Sequence, residues 1–170
     1  MKNLFLTGFM GSGKTSVGAA LSELTEVPVL DTDQMIEEKY DESIKEIFRK
    51  YGESTFRKYE TEILADFPHK DCVISTGGGI VGKRDNIDSM KKSGYIIYLQ
   101  TSFEEIARRL KNDTSRPLWN NNNGETKTLF DKRIKLYEEY ADISIQTDYK
   151  SAREIAIEIL AELDKQSLRE

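Results

Sequence analysis

The sequence predicts an α/β fold in which one parallel sheet is covered by helices on both faces. Three observations predict it. Five short apolar runs, rich in β-branched residues, alternate with segments of helical period. The first run leads directly into Gly8-Phe9-Met10-Gly11-Ser12-Gly13-Lys14-Thr15, which fits the phosphate-binding pattern GxxxxGK[ST]. The 170 residues suffice for one full core and are too few for two ordinary domains, so a single domain over 1–170 is expected.

Leu4 to Thr7 is the first strand. Met1-Lys2 and the apolar residues after it have the outline of a signal peptide, but the stretch runs into the glycine-rich loop and has no small-residue cleavage site. Backbone N–H groups can wrap a polyphosphate only where positive φ and close approach are allowed, which Gly8, Gly11 and Gly13 permit. A helix begins near Gly13, with Val17, Ala20, Leu21 and Leu24 at i, i+3, i+4 and i+7. Its positive dipole end faces the phosphates, Lys14 reaches the β- and γ-phosphates, and Thr15 offers its hydroxyl to Mg²⁺. A nucleoside triphosphate with Mg²⁺ is the expected ligand.

The second run, Val27 to Leu30, contains Pro28, which belongs at a strand's start because it cannot donate to the ladder. Asp31-Thr32-Asp33 follows. Ligands of open α/β sheets sit beyond the carboxyl ends of strands, so both carboxylates should face the phosphate site. Two acids there repel a polyphosphate unless they hold Mg²⁺ or an acceptor hydroxyl; the structural alternative is that Asp33 only caps the next helix. Helical patterns then cover Asp33 to Tyr40, Ser43 to Tyr51 and Ser54 to Phe67, with Gly52 as a stop and Phe56, Tyr59, Ile63 and Phe67 as an apolar stripe. So many helices exceed a simple crossover, which marks 33–67 as a substrate-binding lobe. Within it Arg57 has Glu60 one turn on, placed to orient its guanidinium.

The third run is Cys72 to Ser75, where the single cysteine fits a buried thiol and excludes an internal disulfide, consistent with a reducing cytoplasm. His69, beside Pro68, has no assigned role. Three glycines, Gly77 to Gly79, follow Ser75-Thr76 and cost backbone entropy that a plain strand-to-helix connection does not need. Close approach of a ligand to exposed N–H donors accounts for them better. Next come a helix over Arg84 to Ser93, a strand over Tyr95 to Leu99 and a helix over Ser102 to Lys111. Residues 112–127 are polar, asparagine-rich and aperiodic, and are expected to form a mobile lid in which Arg116, Pro117 and Trp119 have something to contact. In the helix over Thr128 to Tyr140, Arg133 is flanked by Leu129, Phe130, Leu136 and Tyr137, so its stem must cross apolar surface to reach solvent or an anion. Paired with Arg57 at one cleft it would favour a carboxylate or phosphate. Ile143 to Ile145 is the last strand, and Ala152 to Leu163 carries Ala152, Ile155, Ala156, Ile159, Leu160 and Leu163 on one stripe that should pack on the sheet.

The net charge of −5, without a lysine-arginine run, disfavours nucleic acid and anionic membranes as partners. No apolar run approaches the ~20 residues of a membrane span. Small-molecule substrates, a monomer and a cytoplasmic location are expected.

GFMGSGKT, the DTD triplet, Phe56-Arg57 followed by Glu60, the triple glycine, Arg116-Pro117-Leu118, and Lys132-Arg133 with Leu136-Tyr137 resemble shikimate kinases in order and spacing, over nearly the whole chain. The resemblance implies a P-loop NTPase fold like that of nucleoside monophosphate kinases, with a five-stranded parallel sheet, and ATP-dependent phosphorylation of the 3-hydroxyl of shikimate in aromatic amino-acid biosynthesis. By matched position, Asp33, Lys14 and Arg116 would be the catalytic groups, with Asp33 orienting or deprotonating the attacking hydroxyl and Arg116 stabilising the transferring phosphoryl. Gly11, Ser12, Gly13, Lys14, Thr15 and Ser16 would line the ATP site, Arg109 would stack on adenine, and Thr15 and Asp31 would hold Mg²⁺. Arg57, Arg133 and the Gly78 N–H would grip the carboxylate. The segment Gln146 to Ala152 departs from the family's adenine loop, lacking its aspartate and proline. A gluconate kinase shares such a fold and takes a polyhydroxy carboxylate, but lacks the full motif set; a GTP-binding switch would carry Asn-Lys-x-Asp, which is absent.

Overall fold

In the computed structural model, residues 2–65, 67, 70–111 and 123–168 are described. Five parallel strands, β1 (Asn3–Thr7), β2 (Val29–Asp31), β3 (Val73–Ser75), β4 (Gly94–Gln100) and β5 (Ile143–Gln146), lie in the order β2-β3-β1-β4-β5. Leu4 aligns with Val73 on one side and Tyr95 on the other, and Leu30 with Ile74. Side chains alternate across such a sheet, so Phe5, Ile74, Ile96 and Tyr98 enter one core while Leu4, Leu6, Val73, Ile97 and Leu99 enter another.

Helices cover each face. On the second face lie α1 (Lys14–Thr25) and α8 (Ala152–Ser167), whose stripes Val17, Leu21 and Ile155, Ala156, Ile159 are buried as the periodicity requires. On the first lie α5 (Arg84–Ser93), α6 (Phe103–Leu110) and α7 (Asn123–Tyr140), contributing Ile87, Met90, Ile106, Phe130 and Tyr137. Cys72 is buried there too. Between β2 and β3, α2 (Thr32–Tyr40), α3 (Ile44–Tyr51) and α4 (Glu53–Ala65) enclose a small core of their own: Ile36, Ile47, Phe56 and Ile63. Tyr40 stacks on Tyr59 beside it, with ring centroids 3.6 Å apart.

Several boundaries differ from the sequence reading. β2 starts at Val29, one residue after Pro28, whose missing N–H cannot extend the ladder. α4 ends at Ala65, so Phe67 leaves the lobe stripe and packs edge-on against Phe5 in the sheet core, centroids 5.6 Å apart. α7 begins at Asn123, so 123–127 are helical rather than part of a lid: tertiary packing, with Thr126 and Phe130 buried, overrides the poor helix propensity of Asn123-Gly124. His69, Pro68 and the segment 112–122, with Arg116, Pro117 and Trp119, lie outside the described residues. Among the described residues no helix is long and apolar enough to cross a membrane.

Candidate active site

The carboxyl ends of β1, β2 and β3 open onto a cleft of about 760 Å³, lined by Gly11 to Ser16, Asp31, Asp33, Gly77, Gly78, Arg109 and Arg133. The glycine-rich loop forms one end. Gly8, Gly11 and Gly13 take φ of 152°, 81° and 93°, the conformations that disfavour any side chain. At Gly11 an added Cβ would also stand 3.0 Å from Leu110. The loop delivers the chain into α1 with Lys14 and Thr15 in its first turn, and the Lys14 ammonium donates to the Gly8 and Phe9 carbonyls at 2.7 and 3.2 Å. A free helix N-terminus bordered by an ammonium and turned-in N–H groups is built for anionic oxygen.

The Asp-Thr-Asp triplet divides its tasks differently from the sequence alternative. Asp31, not Asp33, caps α2, accepting from Asp33 N at 2.8 Å and Gln34 N at 3.1 Å with one carboxylate oxygen. Thr32 is wholly buried, and its hydroxyl accepts from Gly77 N at 3.1 Å, tying α2 to the glycine run. Asp33 is thereby released from structural work. Its Oδ1 is buried without a hydrogen-bond partner, and burial, with Asp31 and Glu60 nearby, pushes its carboxyl up to about 6 despite the opposing pull of Lys14.

The glycine run touches that acid directly. A Cβ on Gly77 would stand 2.9 Å from Glu60 Oε2 and 3.2 Å from Asp33 Oδ1, and one on Gly78 would stand 3.2 Å from Arg133. One on Gly79 would fall 2.5 Å from both terminal nitrogens of Arg57. Close approach, not turn geometry, therefore explains the run: none of the three has the positive φ that would require glycine.

Arg57 donates to Glu60 at 2.6 Å and to Glu53 at 3.2 Å. Glu60 is fully buried, and desolvation raises its pKa against the opposing charge of Arg57 and Arg133. Burial lowers the pKa of Arg133, whose guanidinium lies 5.9 Å from the Phe9 ring. Tyr137 donates from its hydroxyl to the Gly78 carbonyl and fixes that strand end to α7. Arg133 lines the cleft, whereas Arg57 stands behind Gly79 outside its lining.

At the opposite end Arg109 donates to the Gly11 carbonyl at 3.1 Å and to Glu105 at 3.0 Å. Glu105 also receives Arg108 at 2.6 Å, and these two arginines, Arg108 first, hold its carboxyl down at about 2. Arg108, Tyr149 and Lys150 also line the cleft; Arg108 was not singled out from sequence, and the other two were named only within the segment Gln146 to Ala152. Arg108 carried a signal, lying three residues after Glu105 on the same helix. Tyr149 and Lys150 carried only their place in the segment Gln146 to Ala152 that departs from the family's adenine loop.

Of the residues assigned from sequence, Gly11 to Ser16, Asp31, Asp33, Gly78, Arg109 and Arg133 converge on this cleft, and Arg57 borders it. Among the described residues no cluster of three or more His, Cys, Asp or Glu side chains could hold a metal. The set present fits Mg²⁺ of the kind carried by phosphate oxygens and water, with one hydroxyl, Thr15, and the Asp31 oxygen that the cap leaves uncommitted.

Comparison with known proteins gives one answer. The family model described as Shikimate kinase matches residues 10–164. A shikimate kinase of Bacillus cytotoxicus is 45% identical over 165 residues, covering 96% of this chain and 99% of that protein. The structure of shikimate kinase from Acinetobacter baumannii in complex with shikimate superposes with a TM-score of 0.90 at 37% identity, covering 99% of this chain and 96% of the other. A gluconokinase from Sinorhizobium meliloti shares the fold alone, with a TM-score of 0.56 at 17% identity over 99% of this chain and 94% of its own.

Proposed function

The chain belongs to the shikimate kinase family, and from that premise we propose how its residues transfer the γ-phosphoryl of ATP to the 3-hydroxyl of shikimate. The observation that carries the reading is a single cleft lined at one end by the phosphate loop and at the other by Asp33, Gly78 and Arg133. Donor phosphate and acceptor hydroxyl meet where those ends join, so the protein's contribution is chiefly position and electrostatics.

The loop N–H groups and Lys14 bind the polyphosphate, and Thr15, Ser16 and α1 hold it at the helix end. Thr15, and Asp31 through water, would hold Mg²⁺, which would supply neutralisation of phosphate charge. Asp33 has an acceptor oxygen without a partner, so it takes a hydrogen bond from the attacking hydroxyl and orients it or receives its proton. Arg133 and Arg57 grip the substrate carboxylate, Glu60 fixes the Arg57 fork, and Gly78 lends its N–H. Arg116, outside the described residues, is assigned by its motif to the transferring phosphoryl, and 112–122 to a lid that excludes water from the cleft. Helices α2 to α4, with their separate core, are the acceptor lobe of one kinase domain. The working state is a cytoplasmic monomer.

ADP release from MgATP, measured with shikimate, with gluconate and with no acceptor, tests the assignment. Acceleration by shikimate alone is expected. Acceleration by gluconate and not by shikimate overturns it.

A further inference from the structure

The core beneath the acceptor end contains a hydroxyl that packing does not require. Tyr137 is fully buried, and its ring stacks on Tyr98 with centroids 5.1 Å apart, a contact that phenylalanine would make as well. A buried phenol must find a partner. This one leaves its own helix and donates to the Gly78 carbonyl in the middle of the glycine run. Burial pushes the hydroxyl above the ordinary tyrosine range, against the pull of the Arg133 charge, so it remains a protonated donor.

That bond brackets one peptide. The Gly77 N–H goes to the Thr32 hydroxyl and the Ile80 N–H to the Gly77 carbonyl, both at 3.1 Å, whereas among the described residues no hydrogen bond takes up the Gly78 N–H. Thr32 anchors the chain just before that N–H and Tyr137 just after it, so two side chains set the direction that a run of glycines leaves open. Arg133 lies one turn before Tyr137 on α7, and the two share a face. Arg133 Nη1 and the Tyr137 oxygen stand 3.2 and 3.4 Å from the point where a Cβ on Gly78 would be. Arg57 is paired with Glu60 and Glu53. Arg133 has no such carboxylate pairing among the described residues and lies against the Phe9 ring, whose face attracts the guanidinium but leaves its rotation open. The Tyr137 hydroxyl is the polar group beside it that can set that rotation.

We propose that Tyr137 is a positioning residue for the acceptor: its hydroxyl holds the Gly78 main chain and the Arg133 guanidinium in the arrangement that takes the substrate carboxylate. The inference rests on the reading of Arg133 and Gly78 as carboxylate partners. Tyr137 lies behind them and touches no reacting atom, so it acts on binding of the acceptor and not on the transfer step.

Tyr137→Phe keeps the ring and its stacking and removes one O–H. In steady-state assays of the full chain, KM for shikimate should rise about three- to tenfold, the worth of one net hydrogen bond, with kcat and the calorimetric affinity for ADP within about twofold of the parent. Introduced into Arg133→Ala, the same change should lower kcat/KM by less than half the factor seen in the parent, because one of the two groups it positions is already gone. A packing role alone would lower the urea midpoint and leave KM unchanged, and that result overturns the proposal. So does a loss carried by kcat, or an equal loss with and without Arg133. The acceptor assignment fails distinguishably: a parent whose ADP release does not respond to shikimate faults both readings, whereas a responsive parent with an unchanged KM in Tyr137→Phe faults this one alone.

Discussion

The two ends of the cleft manage charge in opposite ways. At the phosphate end the binding groups are main-chain N–H donors shaped by three positive-φ glycines, and Lys14 is held by carbonyls of its own loop. At the acceptor end Asp33, Glu60, Arg57 and Arg133 crowd together, and two buried carboxylate oxygens, Asp33 Oδ1 and Glu60 Oε2, have no hydrogen-bond partner. One end is built from local sequence, with Ser12 Oγ its one buried side-chain atom lacking a partner among the described residues. The other is assembled from α2, α4 and α7 around the glycine run and keeps hydrogen-bonding capacity that a polyhydroxy acid can fill. Recognition of phosphate is thus nearly independent of the rest of the fold, while recognition of the acceptor is held in place against the preferences of its own groups.

The contrast is broken most sharply by removing the acceptor's charge alone. Asp33→Asn should lower kcat by ~10²- to 10⁴-fold, the range of a lost general base or orienter, while ADP affinity from calorimetry stays within about threefold. A matching loss of ADP affinity would place Asp33 with the metal and erase the division between the ends. Next in size is Arg133→Ala, which should cost ~2–4 kcal/mol in kcat/KM for shikimate in steady-state assays. Unchanged kinetics would show an arginine only packed on its helix beside Phe9.

The same contrast explains what could be read from sequence. The phosphate loop is contiguous, so its eight residues carry the whole geometry, and the stripe Val17, Leu21 with the strand before it fixes its frame. The acceptor end depends on contacts between residues far apart in the chain. Arg57 and Arg133 were recognisable as arginines with apolar neighbours, but that Gly79 packs against the Arg57 guanidinium needs the fold. Nor does local chemistry decide which acid of Asp31-Thr32-Asp33 caps α2, since either type of residue can cap; the chain enters the helix at Thr32, and the choice falls to Asp31. The start of α7 was hidden for a related reason: Asn123-Gly124 argues against helix locally, and burial of Thr126 and Phe130 decides otherwise.

Stability against pH sharpens the comparison further. The Asp33 carboxyl rises from 3.8 to about 6 on folding. Between those values the unfolded chain has released its proton and the folded chain has kept it, so stability falls as pH rises through this window. Above it both states are ionised and the full penalty persists, at most about 3 kcal/mol for a shift of this size. Asparagine is neutral throughout. Asp33→Asn should therefore be more stable than the parent at pH 8 by about 1–3 kcal/mol in urea unfolding, with the gain vanishing below about pH 4. Lys14→Met removes the charge that opposes this shift, so it should push the Asp33 carboxyl higher still and extend the window of falling stability upward in pH. A gain for Asp33→Asn that is equal at pH 4 and pH 8 would mean that burial of its charge does not burden the fold.

The smallest effect separates close approach from backbone conformation. Gly79 and Gly82 sit three residues apart, and neither has positive φ, so alanine fits the backbone at both. Their surroundings differ. A Cβ at Gly82 meets nothing within 4 Å, whereas one at Gly79 would stand 2.5 Å from both terminal nitrogens of Arg57. Arg57 is long and flexible, so it can move aside at little cost to stability, but only by leaving the position in which Glu60 and Glu53 hold it. Gly79→Ala should accordingly raise KM for shikimate roughly tenfold, equivalent to about 1.4 kcal/mol, with nucleotide affinity retained. Gly82→Ala should leave both constants unchanged. If Gly79→Ala binds shikimate as the parent does, Arg57 has no part in holding the carboxylate, and the acceptor end relies on Arg133 and the Gly78 N–H.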